Sequence, residues 1–414
     1  MKYRMALNGL RGFAIINVLL NHLAKYSRNS GTSQFGVFGV SIFFVLSSYL
    51  LTQKLYEDYV KKNETNLLNY FNRRFFRIYP CLTVCLIFDY LTNGKTFDQI
   101  ISIYFLYGNY HFYWTIYVEM RFYLVFPIFS YTFSKIKLNS LKILTSLLLI
   151  IGFVCFSFFY NGYSEMEPLK YSNSFYTNKM FVLFIPNFLM GCLLAVLIHH
   201  LEESKFNFDN YSCLKGFFAF IMCIFHFLLI LMVKLMNVHY GIKTKWGETL
   251  EILSTLWGII YSILVFCLIG KNFMTTLFEI RLFQFFGNIS YPAYLLNIPF
   301  RNICDKLLTD HIGYFWATIT SVFAILLCSY LIHITLENYF IEKTKNYCIK
   351  QQVKENVGEK IKPTQVQLVK NEMQVKDLEE DETKLNLNLF DIESNITKIE
   401  EKAEQIKITE TVKE

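Results

Sequence analysis

Long apolar segments alternate with short basic or polar segments up to about residue 342 of the chain. Several of the apolar segments hold roughly 18 or more residues, which is the length that a helix needs to cross a bilayer. The pattern predicts ten membrane-spanning helices, at about residues 7–27, 35–53, 76–92, 113–133, 143–160, 180–199, 214–236, 251–270, 283–300 and 313–335. The apolar stretch at 100–108 is too short to cross and is expected to be interfacial or re-entrant.

Basic residues set the orientation of this all-α, multi-pass bundle. Lys and Arg are dense between residues 54 and 77, whereas the loop at 92–112 contains only Lys95. Because positively charged loops stay in the cytoplasm, the asymmetry puts both chain termini on the cytoplasmic side. The ninth helix has the least regular pattern, since it contains Pro292 and Pro299.

The final segment has a different composition. Residues 343–414 are rich in Lys, Glu, Asp, Asn and Gln, and they include the acidic run 378–382. Such a segment buries too little apolar surface to fold on its own. We therefore expect two domains, a transmembrane domain at 1–342 and a charged, disordered cytoplasmic tail at 343–414.

The overall composition agrees with an integral protein of the plasma membrane or an endomembrane. Hydrophobic residues make up 53% of the chain and 42 residues are Phe, a usage that soluble proteins rarely reach. The ten cysteines are scattered, mostly through apolar runs, with no CxxC pair or Cys/His cluster, so no metal site is expected. The net charge of +7 resides in short loops, where topology explains it, and does not indicate nucleic-acid binding.

The first predicted helix carries two ionisable residues, Arg11 and His22. Their spacing of eleven residues is three helical turns plus about 20°, so both side chains fall on one face, about 16 Å apart along the axis. Ionisable side chains inside a membrane helix are costly and by default indicate a functional site. The two residues are too far apart for contact, but they are suited to act at two positions along one face of the helix.

Both residues have a functional and a structural interpretation. An imidazole takes a proton from a hydroxyl near neutral pH, as acyl transfer to an alcohol requires, but a lone membrane histidine such as His22 also satisfies neighbouring helices. Arg11 either binds an anionic donor or polarises a carbonyl, or it anchors the end of the helix. Asn8 precedes Arg11 by three residues on the same face and is placed to orient it.

Arg73, Arg74 and Arg77 form a basic cluster where the third helix is predicted to begin. Arg73 and Arg77 are four residues apart and share a helix face, and Pro80 is expected in the first turn, where proline is tolerated. The cluster is explained by positive-inside anchoring, by recognition of a phosphorylated donor from the cytoplasm, or by both.

Glu119 is an acid within an aromatic membrane helix. A buried carboxylate needs a partner, and His22, Arg11 or another arginine are the candidates. Glu119 then forms a structural ion pair or orients an imidazole in a His–acid pair. Trp114, near the start of the same helix, belongs to the interfacial aromatic belt or to the substrate entry.

Five segments of the chain resemble the membrane acyltransferase 3 family. The first, LNGLRGFAIINVLLNH, contains the family's pattern of Arg or Lys, ten residues, and then His. The others are, in order, GVFGVSIFFVLSSYLLT (36–52), FNRRFFRIYP (71–80), YWTIYVEMRFYLVFP (113–127) and GNISYPAYLLNIP (287–299). These blocks cover residues 1–340 in the family order, which is far more specific than the Arg–His spacing alone.

The resemblance implies a ten-helix enzyme that moves a short acyl group from acyl-CoA to a hydroxyl of a carbohydrate or lipid-linked acceptor. Acetyl-CoA is the expected donor and acts as a substrate, with no bound cofactor. The resemblance assigns catalysis to Arg11, His22 and Glu119, and donor binding to Arg73, Arg74 and Arg77. Further pocket positions are expected at Asn8, Ser47, Trp114, Tyr291 and Asn297.

Three positions depart from the family pattern. Asn8 stands where Asp is common, Ser48 replaces a usual Gly, and Asn297 replaces a frequent His. Ser48 is expected to loosen the helix contact at that point. Because the Arg–His pair and the acid are intact, activity is expected to survive.

Two alternatives use the same residues for another purpose. A multi-pass transporter would guide a substrate along the charged face without covalent chemistry. A catalytically weak sensor or scaffold would use the charged tail for interactions. The blocks beyond the first helix favour the acyltransferase, because transport alone gives no reason for them.

Overall fold

The computed structural model describes residues 4–24, 35–62, 67–105, 113–135, 139–166, 173–240, 254–344 and 346–347. Within these ranges the chain is helical apart from short turns, and it contains no strand. The helices are α1 (Arg4–Ala24), α2 (Phe35–Lys62), α3 (Leu67–Asn93), α4 (Phe97–Tyr104), α5 (Trp114–Lys135), α6 (Asn139–Met166), α7 (Asn173–Glu203), α8 (Ser212–Tyr240), α9 (Ser254–Cys267), α10 (Phe273–Phe278), α11 (Arg281–Asn288) and α12 (Ser290–Ile332).

The chain divides after Lys345 into two compact units. The first unit holds all of these helices. Almost all of the second, Asn346–Glu414, lies outside the described residues, so the predicted tail at 343–414 stays a prediction.

Several helices have the length and the apolar composition of membrane-spanning helices. In the described part of the chain, five stretches are both long and apolar enough to cross one: Gly36–Leu55, Leu67–Asn93, Met180–Glu203, Phe208–Leu228 and Ser290–Thr344. Only 22% of the apolar window in Phe208–Leu228 is buried against other helices, as expected of a helix whose remaining surface faces lipid. The predicted all-helical membrane architecture is therefore confirmed.

The third helix begins earlier than the apolar pattern predicts. α3 starts at Leu67 and already contains the arginine cluster, so Pro80 lies in its interior. The prediction that Pro80 occupies the first turn is therefore wrong. The arginines interrupt the apolar run on which the prediction was based, but they do not interrupt the helix, because Arg is a good helix former.

The ninth predicted span does not coincide with a single helix of the structure, and the chain bends beyond it. α11 ends at Asn288 and α12 begins at Ser290, so the predicted helix at 283–300 straddles a boundary. At Gly313 the backbone adopts a φ of 77°, which residues with a Cβ rarely adopt, and α12 is broken there. Arg301 donates to the Tyr314 hydroxyl at 2.9 Å, although thirteen residues of straight helix would span about 20 Å. The chain therefore turns sharply at Gly313.

The contact between α2 and α7 depends on a glycine. A Cβ on Gly191 of α7 would lie 2.0 Å from Ser48 Oγ and 2.3 Å from the Val45 carbonyl oxygen of α2. Small residues allow membrane helices to approach in this way. The loosening expected at Ser48 is therefore wrong, because the small residue that this contact needs is supplied by α7.

α1 and α2 pack antiparallel, again through glycines. A Cβ on Gly36 would meet the side chain of Asn21, whereas one on Gly39 would lie 2.5 Å from the Ala14 carbonyl oxygen and 2.8 Å from Val18. Successive contacts therefore pair higher residue numbers in α2 with lower residue numbers in α1. These contacts fix the register of the two helices.

Two polar contacts fasten α1 to other helices. Asn8 donates to Asn288 Oδ1 at 2.8 Å and to Gln284 Oε1 at 3.1 Å, which ties α1 to α11. Farther along, Asn17 Oδ1 lies 3.1 Å from Nε2 of the buried His226 in α8. The other ring nitrogen of that histidine lies 2.9 Å from the hydroxyl of Tyr261 in α9.

Replacing Gly191 by Ala should destabilise the bundle, since the new methyl group collides with backbone and cannot be relieved by a rotamer change. Overpacking of this kind costs about 1–3 kcal/mol or more, and we expect a lower melting temperature in detergent. Gly152→Ala is the matched control, because nothing lies within 4 Å of a Cβ there. Equal melting temperatures for the two variants would contradict the close α2–α7 contact.

Candidate active site

A cavity of about 490 Å³ lies among six helices, α1, α2, α3, α5, α7 and α12. Much of its lining consists of residues that the sequence analysis selected. These are Asn8, Arg11, Ser47, Arg74, Arg77, Glu119 and Tyr291. The structure thus brings together positions that are almost 300 residues apart in the chain.

The cavity is elongated along α2. Its lining on that helix runs from Val40 to Lys54, which is about 21 Å at 1.5 Å per residue. Gln53 and Lys54 lie near the end of the cavity that also includes Glu202, close to the end of α7. The lining on α2 is therefore long enough to contact an extended ligand over several helical turns.

Three guanidinium groups give the cavity a cationic wall. Arg11, Arg74 and Arg77 all line it, and in the described part of the chain none of them forms an ion pair with a carboxylate. Arg74 stacks over the Tyr123 ring at 5.2 Å, and its buried Nε has no hydrogen-bond partner. Because buried positive charges need a counter-ion, the three groups are prepared to bind an anionic ligand.

Glu119 is held by hydroxyl groups. The Tyr123 hydroxyl donates to Glu119 Oε1, and Ser47 Oγ lies 3.2 Å from the same oxygen and 2.8 Å from the Tyr123 hydroxyl. Glu119 and Arg11 line the same cavity but do not form an ion pair. Among the described residues Ser47 and Tyr123 hold the carboxylate, whereas the predicted pairing with His22 involves a side chain outside the described residues and stays a prediction.

The arginines that share the cavity are spaced by three residues. Arg73 does not line it, whereas Arg74 and Arg77 do. Arg73 and Arg77 are four residues apart and share a face of α3, as predicted, but Arg73 lies one turn nearer the start of the helix and outside the lining. The predicted role of Arg73 in donor binding stays a prediction.

The structure describes the contacts of three further predicted positions. The ring of Trp114 packs against Phe184 and Phe44 and is not part of the lining. Asn297 is buried and donates to the Tyr294 carbonyl of its own helix. Asn8 lines the cavity, and its amide nitrogen donates to Gln284 and Asn288 of α11.

His22 lies on α1, as predicted, and α1 is continuous from Arg11 to His22. The side chain of His22 lies outside the described residues. The register of α1 and α2 puts Val40, where the cavity lining on α2 begins, near the level of Ala14 and Val18. The backbone at His22 lies about 6 Å farther along the axis than Val18.

Tyr123 is a site residue that sequence reasoning missed. It lies one turn after Glu119 and within the fourth of the five blocks, so helical spacing was the available signal. Lys54 and Tyr294 also line the cavity, and they too were missed. Nothing in an aromatic-rich sequence distinguishes Tyr123 and Tyr294 from the many aromatic side chains that face lipid.

Tyr123→Phe removes a hydrogen bond to a carboxylate and should destabilise the protein by about 1.5–3 kcal/mol, the range for hydrogen bonds to charged groups. We expect a lower melting temperature in detergent than for the wild type. Tyr90→Phe is the control, since Tyr90 is exposed on α3. A melting temperature for Tyr123→Phe that equals the control would show that the Glu119 contact contributes little.

The sequence was compared with known proteins and families. The profile of the family described as "Acyltransferase domain" matches residues 5–334. Among similar curated proteins, peptidoglycan O-acetyltransferase OatA of Listeria monocytogenes is 28% identical over 178 residues, which are 36% of this chain and 28% of that protein. O-acetyltransferase OatA of Staphylococcus aureus is 29% identical over 153 residues, 31% of this chain and 24% of that protein.

A longer match covers most of the chain. YrhL of Bacillus subtilis is 24% identical over 375 residues, which are 83% of this chain and 55% of that protein. The chain thus spans only about a quarter of the two OatA proteins and about half of YrhL. No solved structure matches it. Because the family profile covers most of the sequence, including all seven predicted residues that line the cavity, the chain belongs to this acyltransferase family.

Proposed function

We propose that this protein is an integral-membrane O-acyltransferase that moves an acetyl group from acetyl-CoA to a hydroxyl of a carbohydrate or lipid-linked acceptor. The observation that carries the proposal is the cavity wall of Arg11, Arg74 and Arg77, which have no carboxylate partner among the described residues. Two relatives bear the name O-acetyltransferase, one of them with peptidoglycan as its acceptor. Family membership favours this function over a transporter or a sensor.

The proposed donor site is matched to the chemistry of CoA. CoA carries several phosphate oxygens on a long, flexible arm, and guanidinium groups bind phosphate through paired hydrogen bonds. The cavity volume of about 490 Å³ lies within the range of small-molecule sites. We place the phosphates at the arginines and the thioester arm along α2. Lys54 adds a basic group near one end of this path.

The proposed reaction is a direct transfer. The acceptor hydroxyl attacks the thioester carbonyl, the carbon–sulfur bond breaks, the hydroxyl proton passes to His22, and the CoA thiolate leaves and takes up a proton. Arg11, which lies about 16 Å from His22 along α1, binds the donor phosphates with Arg74 and Arg77 and does not reach the reacting carbonyl. Glu119, fixed by Ser47 and Tyr123, balances the charge of Arg11.

We further propose ten membrane crossings with both termini in the cytoplasm. Each predicted span overlaps a helix of the structure, with the ninth and tenth on either side of Gly313. The basic residues at the start of α3 support a cytoplasmic location for that end. In this topology the donor enters from the cytoplasm, His22 lies towards the opposite side, and the segment 343–414 forms a cytoplasmic tail.

Arg77→Gln should weaken the binding of acetyl-CoA by about tenfold or more, because a charge-assisted hydrogen bond contributes about 1.5–3 kcal/mol. The measurement is equilibrium titration of acetyl-CoA against the full chain in detergent. Arg281→Gln serves as the control, since Arg281 is exposed. Unchanged affinity in Arg77→Gln would reject the arginine wall as the donor site.

His22→Ala should reduce acetyl transfer at least about 100-fold, the usual contribution of a general base, while acetyl-CoA still binds. The assay gives purified protein labelled acetyl-CoA and a panel of glycan and lipid acceptors. His311→Ala, at an exposed position, is the histidine control. Equal transfer by His22→Ala would exclude His22 as the base, and movement of an unmodified solute across vesicles would favour a transporter.

A further inference from the structure

The cavity changes from charged to apolar along its length. Arg74 stacks over the Tyr123 ring at 5.2 Å, and Glu119 lies one turn before Tyr123 on α5. Nearer the start of α5, the described lining continues with Thr115 and Ile116, which carry no charge. About two helical turns therefore separate the level of the Arg74 contact from this uncharged stretch.

The same change occurs along α2. Ser47 Oγ lies 3.2 Å from Glu119 Oε1. Earlier in both helices the rings of Phe44 and Trp114 lie 6.4 Å apart, so α2 and α5 run in the same direction here. Before Ser47, the described lining on α2 consists of Val40, Phe43, Phe44 and Leu46. The part of the cavity lined by Val40, Phe43, Phe44 and Ile116 is termed the apolar end.

Phe44 gives the apolar end a firm wall. Its ring stacks on Phe188 of α7 with the centroids 4.5 Å apart, and Phe184 of the same helix meets it edge-on at 5.3 Å. Phe188 is in turn stacked on Phe122 of α5 at 4.1 Å. Because Phe184 and Phe188 are fully buried, the Phe44 ring has no space behind it into which it could swing.

The apolar end is also short. The described lining on α2 begins at Val40, four residues before Phe44, and this spacing corresponds to about 6 Å along the helix axis. On α5 the described lining begins at Thr115, directly before Ile116. A space of this length takes a chain of a few carbon atoms, whereas a longer chain would collide with its walls.

The apolar end lies on the side of the cavity that the proposed chemistry uses. Gly39, beside Val40, is in close contact with the backbone of Ala14 in α1. Arg11 precedes Ala14 on α1 and His22 follows it. A ligand that extends from the arginines to the apolar end therefore approaches the level of the His22 backbone.

We propose that the apolar end holds the acyl group of the donor, and that Phe44 and Val40 restrict this group to short, uncharged chains. The inference rests on the proposed function, in which the arginines bind the phosphates of an acyl-CoA. Each methylene that fits between apolar walls strengthens binding about fourfold. A charged acyl group would lose its water there without gaining a partner.

The test is equilibrium binding of acetyl-CoA and hexanoyl-CoA to the full chain in detergent. In the wild type, hexanoyl-CoA should bind at least about tenfold more weakly than acetyl-CoA, because its surplus methylenes do not fit. Phe44→Ala removes the ring and should reduce this preference at least about fivefold, mainly by strengthening the binding of hexanoyl-CoA. Phe217→Ala, at an exposed position of α8, is the matched control and should keep the wild-type preference.

Val40→Ala is a second variant that removes less of the wall. It deletes two methyl groups and no ring contact, so it disturbs the packing of the bundle less than Phe44→Ala does. We expect it to shift the preference in the same direction by about fourfold, the value of one buried methylene. If Phe44→Ala loses its cooperative melting transition, the result for Val40→Ala decides the question.

The outcomes separate the two proposals. If the wild type binds neither acyl-CoA, the proposed donor site is wrong and the inference falls with it. If the wild type binds acetyl-CoA but both wall variants keep its preference, only the placement of the acyl group is overturned. Equal binding of the two acyl-CoA molecules by the wild type would likewise overturn the restriction to short chains and leave the donor site intact.

Discussion

A positive charge inside a membrane protein has to be compensated, and the arrangement of this bundle follows from that requirement. Three guanidinium groups surround one cavity without a direct carboxylate partner among the described residues. Part of the compensation comes from Glu119, which lines the same cavity, and from the ring of Tyr123 beneath Arg74. An arrangement with such incomplete pairing leaves the wall available to an anion from outside the protein.

The helices around the cavity are closely packed for a reason specific to membranes. Apolar helix surfaces gain little by leaving lipid for another helix, so close approach and polar contacts decide how the helices pack. Glycines bring α2 within backbone contact of both α1 and α7, at Gly39 and Gly191 respectively. These contacts hold Ser47 of α2 within hydrogen-bonding distance of Glu119 of α5. Small residues distant from the chemistry thus determine the geometry of the site.

Local periodicity in the sequence was sufficient for some features of the structure and not for others. The apolar pattern predicted the helical membrane architecture, and the ordered blocks predicted the family, because both depend on residues that are close in the chain. The register between helices depends on residues that are distant in the chain. The hydroxyl of Tyr123, one turn away from Glu119, holds its carboxylate, and periodicity does not single out that tyrosine. Which arginines of α3 reach the cavity likewise depends on how the neighbouring helices are placed along it.

The ends of elements were the least predictable features for a related reason. A polar or charged residue interrupts an apolar run without interrupting the helix, and the early start of α3 at Leu67 is an example. The opposite case is Gly313, where an apolar pattern continues although the backbone does not.

The two polar attachments of α1 determine how this helix is able to move. Asn8 and Asn17 are nine residues apart, which on a helix is about 900°, so they project from opposite faces. One binds α11 and the other binds His226 of α8. A rotation of α1 about its own axis would break both attachments at once, because each bond depends on the direction of its side chain. α1 is therefore held against rotation by hydrogen bonds on two opposite faces.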